Sequence, residues 1–218
     1  MRIDFVSDVA CPWCAIGMSA LDRALERIGA DVGEVEVHLQ PFELNPTMSP
    51  GGEDAAKYLS EKYGLSPEQL TANRVRIAER GAAEGFRFGT RSHVWNTFDA
   101  HRLLFWAGVD GQPGAQRALK RALLKAYHGD DRNIGSPDVL VELAAGAGLP
   151  AERAREVLER GEFAEEVRQA ERFWQEVGIH SVPAVIIDRK HLISGGQPSA
   201  VFEQALRQIA AEGAPAPG

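Results

Sequence analysis

The stretch Arg2-Ile3-Asp4-Phe5-Val6-Ser7-Asp8-Val9-Ala10-Cys11-Pro12-Trp13-Cys14-Ala15-Ile16 decides the reading of the whole chain. Ile3 and Phe5 alternate with Arg2 and Asp4, which is the period of a half-buried strand. After the motif the period changes, and Ile16, Ala20, Leu21, Ala24, Leu25 and Ile28 recur at helical spacing. Between the two lies Cys11-Pro12-Trp13-Cys14, which holds the only two cysteines of the chain. Pro12 suits the first helical turn, where its missing N–H leaves nothing unpaired. A thiol at a helix N-terminus meets free backbone N–H groups and the positive end of the dipole, and both favour its thiolate. The second thiol then sits about one turn on, where it can attack a mixed disulfide carried by the first. The spacing therefore points to a redox dithiol, with Cys11 the nucleophile, partly exposed, and Cys14 the more buried resolving thiol. Zinc is the rival reading of C-x-x-C, but a zinc site needs four protein ligands, or three and a water. No second cysteine pair exists and no histidine cluster stands near the motif, so no metal is expected.

A chain of 218 residues, 44% hydrophobic and 25% charged, has the length and balance of a globular protein with a well-buried core. No apolar run approaches the roughly 20 residues that span a bilayer. The formal net charge of -7 argues against nucleic-acid and anionic-membrane partners, which select clustered Lys and Arg. Met1 leads directly into the strand alternation with no apolar leader, so a cytoplasmic protein is expected. Thiols there are kept reduced, and a lone C-x-x-C is then catalytic or metal-binding rather than a structural disulfide.

Val35, Val37 and Leu39 alternate with Glu36 and His38 as a second strand, which makes strand-helix-strand and predicts a parallel pair. From about Gly51 to Gly161 strand signals nearly vanish. Ser66-Pro67-Glu68 opens a helix running towards Gly85. Further helices are predicted from Asn96 to Trp106, Pro113 to His128 and from Ser136-Pro137, followed by Pro150 to Glu159 and Phe163 to Val177. The run Ala184-Val185-Ile186-Ile187, a turn at Asp188-Arg189-Lys190 and Leu192-Ile193 predict a hairpin. Pro198 to Ala211 reads as a last helix. The expected organisation is an α/β, thioredoxin-like unit in two parts, residues 1–48 and 162–213, interrupted by an all-helical domain over 49–161 and followed by a flexible tail over 214–218.

Several separated segments in this order carry a resemblance. They are Asp8 to Gly17 around the motif, Pro41-Phe42-Glu43-Leu44-Asn45-Pro46, Asn96-Thr97 with Ala100-His101-Arg102-Leu103, Gly178-Ile179 with Val182-Pro183, and Ser194-Gly195-Gly196-Gln197-Pro198. The chain resembles the DsbA-like thiol-disulfide oxidoreductases, and within them the cytoplasmic FrnE-type branch. The resemblance implies a thioredoxin fold with an inserted helical domain and a cis proline facing the dithiol. Only about 5 to 6% of X-Pro bonds are cis, so a cis Val182-Pro183, its backbone turned out to meet substrate, rests on that resemblance. Ala15 departs from the tyrosine that many relatives of the branch carry after the second cysteine. The same superfamily holds kappa-class glutathione transferases and 2-hydroxychromene-2-carboxylate isomerases, which typically have serine where Cys11 stands.

The function read from the chain is thiol-disulfide exchange with polypeptide or small-molecule thiols, the dithiol serving as its own redox group with no other cofactor. Pro12, Trp13, Val182 and Pro183 are expected to bind substrate, Trp13 as a rigid aromatic cover. Glutathione is a candidate co-substrate, and the expected state is a monomer or homodimer. Two alternatives stand beside this: glutathione-dependent isomerase or transferase chemistry at Cys11, and a non-catalytic peptide-binding or holdase module. Asp8 is either a proton acceptor or a turn residue. Asn96, Thr97, His101 and Arg102 line a groove or join the helices, Thr97 and His101 sharing one helical face. Gly195-Gly196 lacks a phosphate-loop pattern and reads as a turn.

Overall fold

The computed structural model describes residues 1–213, and the tail expected over 214–218 lies outside them. Strand β1 (Arg2–Ser7) leads through a short loop to helix α1 (Pro12–Ile28), which ends where Gly29 takes φ 54° and donates to the Leu25 carbonyl. Strand β2 (Glu36–Pro41) follows and pairs parallel with β1, Ile3 opposite Val37 and Phe5 opposite Leu39.

Chain then leaves the sheet. Strand β3 (Glu53–Asp54) precedes α2 (Ala55–Tyr63), whose first turn is capped by the Asp54 carboxylate accepting from Lys57 N–H at 2.8 Å. Helix α3 (Pro67–Ala83) opens on a capping box between Ser66 and Gln69. Strand β4 (His93–Val94) returns to pair antiparallel with β3. Helices α4 (Phe98–Val109), α5 (Ala115–His128), α6 (Pro137–Gly146), α7 (Ala151–Glu159) and α8 (Ala164–Glu176) come next. The insert is thus helical except for one small sheet, where the sequence predicts helices alone. Two residues cannot show a period of two, and the partners of these strands lie far apart in the chain, so no local signal marks them.

Strands β5 (Ala184–Ile187) and β6 (His191–Ser194) form the expected hairpin, with Asp188 and Arg189 both left-handed at its turn. Helix α9 (Ser199–Gly213) closes the fold. The main sheet has the order β2-β1-β5-β6, with β1 antiparallel to β5.

Alternation along β1 divides the core. Ile3 and Phe5 face Met18, Leu21, Phe202 and Leu206 of α1 and α9, while Val6 faces Trp174 of α8. A third cluster joins α4 to α7 through Leu103, Leu119, Leu123, Leu140 and Val157. The clusters cross-connect: Val9 and Ala10, beside the motif, pack into the helical cluster, and Leu124 of α5 packs into the sheet cluster. Burial of Val9 and of Leu124 contributes about 1.5–3 kcal/mol of transfer free energy each, so the helices set the position of the loop that carries the cysteines.

Candidate functional site

Cys11 occupies the N-cap of α1 in an extended conformation, φ -87° and ψ 116°, with Pro12 at the first helical position. Its carbonyl accepts from Cys14 N–H at 3.1 Å and Ala15 N–H at 3.4 Å, which winds the first turn and brings the two sulfurs together. The Val182-Pro183 peptide is cis, and the Val182 carbonyl accepts from Cys11 Sγ at 3.6 Å, across 171 positions of sequence. Two glycines allow this approach. A Cβ on Gly17 would lie 3.1 Å from Pro183 Cγ, and one on Gly196 would lie 2.9 Å from the Trp13 carbonyl oxygen. Gly195 N–H donates to the Pro183 carbonyl at 2.8 Å, so the Gly195-Gly196 turn clips the proline segment against α1.

Cys11 is only 4% exposed, whereas the sequence predicts a partly exposed thiol; the Val182 carbonyl covers the sulfur from one side. The remaining opening faces a groove of about 680 Å³, walled by Pro12 and Trp13 on one side and by α2 and α3 on the other. Cys14 is fully buried behind it, and both thiols are free.

The two sulfurs are driven apart in acidity. The Cys14 thiol hydrogen bond lowers the Cys11 pKa; burial and the Asp8 charge oppose, and the backbone N–H groups of Cys14 and Trp13 assist. Burial pushes Cys14 well above the ordinary thiol range, reinforced by the adjacent Cys11 and opposed by the charge of Lys120. The asymmetry matches the order of attack that exchange requires.

Beneath the motif the Asp8 carboxylate has three partners. Oδ1 accepts from Ala10 N–H at 3.1 Å and from His101 Nε2 at 3.3 Å, and Oδ2 accepts from Leu44 N–H at 2.7 Å. Burial resists its ionisation, but the His101 hydrogen bond and the two backbone donors outweigh it and hold the carboxyl below the usual range. Asp8 is therefore a turn residue that also ties the motif loop to the end of β2 and to α4. His101 is buried with it and does not line the groove. Asn96 stands apart from the cysteines: its side chain donates to the Met48 carbonyl at 2.9 Å and accepts from Phe98 N–H at 2.9 Å, securing the entry to α4. Arg102 donates to the Glu162 carbonyl at 2.8 Å and to Asp99 at 2.6 Å, joining helices.

Sequence reading missed Lys120 and His128. Both are buried on α5, Lys120 only 1% exposed, and both fall on the stripe of Leu123, Leu124 and Tyr127 that the helical period marks as inward. A polar residue on an apolar stripe was the available signal. His128 Nε2–H donates to the Val9 carbonyl at 2.8 Å, while its ring borders the groove. Arg91, which donates to the Ala10 carbonyl at 3.3 Å, had no local signal. No group of three or more metal-ligating side chains is found among the described residues.

Known proteins are similar to this chain over most of their length. The crystal structure of a probable DsbA oxidoreductase from Streptomyces coelicolor is 38% identical, with a TM-score of 0.89 and coverage of 100% of this chain and 93% of that one. The uncharacterized protein YwbO of Bacillus subtilis is 28% identical over 222 residues, covering 94% of this chain and 96% of that protein. The cytosolic disulfide reductase DsbM from Pseudomonas aeruginosa shares the fold at 20% identity, with a TM-score of 0.64 and coverage of 95% and 100%. Residues 2–207 match the family model of the DSBA-like thioredoxin domain, and with the dithiol at the first strand-helix junction the chain belongs to that family.

Proposed function

We propose that the protein is a thiol-disulfide oxidoreductase, cytoplasmic and of the FrnE-type branch, that works through the Cys11–Cys14 pair. One observation carries this: Cys11, at the start of α1, opens to a groove, with Cys14 buried one turn behind it. The Cys11 thiolate attacks one sulfur of a disulfide R–S–S–R, forming Cys11–S–S–R and releasing R–S⁻. The Val182 carbonyl borders the reacting sulfur, and Val182 and Pro183 are proposed to align the substrate, while Trp13 covers it. Once Cys11 is in a mixed disulfide its thiolate charge is gone, so Cys14 is opposed by burial alone and favoured by Lys120. The Cys14 thiolate then attacks Cys11 Sγ, the second R–S⁻ leaves, and the two thiol protons pass to the products. The substrate gains two electrons and the dithiol becomes a disulfide; with substrate dithiols the same steps run in reverse. DsbM was solved with glutathione, which supports a small thiol among the substrates here.

The test is a single turnover of the reduced protein with a disulfide, read by mass. Wild type is expected to lose both thiols, Cys14→Ala to stop at one adduct on Cys11, and Cys11→Ala to form none. Folded wild-type protein that keeps both thiols overturns the proposal. In steady-state turnover with glutathione, a Cys14→Ala variant as active as wild type beside an inactive Cys11→Ala variant replaces it with the glutathione-dependent isomerase or transferase chemistry.

A further inference from the structure

The groove in front of Cys11 has a charge that thiol exchange by itself does not require. Arg74 and Arg76 of α3 and Arg91 line it, and among the described residues no Asp or Glu does. This is a marked local reversal in a chain with 31 acidic and 24 basic residues. The guanidinium groups are not neutralised within the groove: Arg76 donates to the amide oxygen of Asn73 at 3.0 Å, and Arg91 to the carbonyl of Ala10, next to Cys11, at 3.3 Å. Between them the walls are apolar, with Tyr63 and Val75 both more than half exposed at 55% and 54%.

The volume, about 680 Å³, lies in the range of small-molecule sites, about 300–1,000 Å³. A guanidinium fork pairs with a carboxylate through parallel hydrogen bonds, and a cleft of one sign draws in ligands of the other. We infer that Arg74, Arg76 and Arg91 make the groove selective for low-molecular-weight disulfides that carry carboxylate groups. The inference rests on the exchange chemistry proposed above and adds the class of substrate. The carboxylates sit on the cationic wall of α3 and beside Arg91, and this holds the disulfide bond where the groove meets Cys11.

Oxidation of the reduced full-length protein by two probes tests it, oxidised glutathione as the anionic disulfide and cystamine as the cationic one. The ratio of the two rate constants, glutathione over cystamine, is expected to fall about tenfold in the Arg74→Gln, Arg76→Gln double variant, the size of two exposed ion pairs. The Arg74→Lys, Arg76→Lys variant should retain most of the ratio, and added salt should lower it in wild type. Both arginines are exposed, so the variants keep the fold. An unchanged ratio in the Gln variant, or equal loss of both rates, overturns the selectivity and leaves the oxidoreductase reading intact. Failure of both probes to oxidise the wild-type dithiol overturns the oxidoreductase reading itself.

Discussion

His128 shows what the interior asks of a single residue at this site. Burial, and after it the charge of Arg91, push its pKa down to about 3, so the ring is neutral and holds the Val9 carbonyl of the motif loop at 2.8 Å. In the unfolded chain a histidine titrates near 6.5. Below that pH the unfolded state takes up a proton that the folded state refuses until about pH 3, so stability is fully present above about 6.5 and is lost as pH falls. By pH 5 the loss from this one group is about 2 kcal/mol. Replacing it by glutamine, which keeps a donor for Val9, should remove that much of the decline, seen as a flatter denaturant-midpoint profile between pH 6.5 and 5. Asp8 acts lower on the scale: its depressed pKa contributes stability above the carboxylate range, about 3.9 in an unfolded chain, and loses it only below.

Helix α5 is the element that carries chemistry from outside the sheet. Its amphipathic stripe packs Leu119 and Leu123 into the helical cluster and Leu124 against the sheet, and Lys120 is buried within the same contact. Burial lowers the Lys120 pKa, while attraction to Cys14, Asp8 and Cys11 opposes that. Its charge favours the Cys14 thiolate, which in the exchange proposed above makes it a positioning residue for the second step. Lys120→Met should lengthen the life of a Cys11–glutathione mixed disulfide about tenfold and move the pH midpoint of release upward, while Lys120→Arg preserves both. Quenched mass spectrometry across a pH series measures the effect. An unaltered pH midpoint in Lys120→Met contradicts the role.

At the scale of the molecule, the insert and the sheet share their cores instead of sitting side by side. Val9 and Ala10 cross one way and Leu124 crosses the other. On the far face of the sheet, Arg168 of α8 binds the carboxylates of Glu43 and Glu171, with its guanidinium 3.9 Å from the centre of the Phe98 ring. Burial raises the pKa of both glutamates, with the charge of Glu171 adding to it at Glu43 and that of Asp8 at Glu171, and Arg168 opposes at both. Because the parts are interlocked, Leu124→Ala should cost about 2–5 kcal/mol, the usual range for a buried leucine. Circular dichroism and tryptophan fluorescence should follow one shared, earlier transition. Two separated transitions refute the interlocking.

Much of this protein is local and therefore legible. The change of period after Phe5, the proline at the first turn of α1, and Ser66-Pro67 and Ser136-Pro137 at the starts of α3 and α6 are set by side-chain spacing and backbone sterics within a few residues. They determine the element order apart from β3, α2 and β4, which the sequence does not predict, and the placement of the dithiol at a helix start. Tertiary structure alone decided how deeply Cys11 is buried, the pairing of β3 with β4, the role of Asn96 as a clip, and the presence of Lys120 and His128 beneath the motif. The physical reason is range. Periodicity and capping act over one or two turns, whereas the acidity of a buried sulfur is the sum of desolvation, hydrogen bonds and charges from every neighbour in space. Around Cys11 and Cys14 those neighbours include Asp8, Lys120 and Val182, which only folding brings to one place.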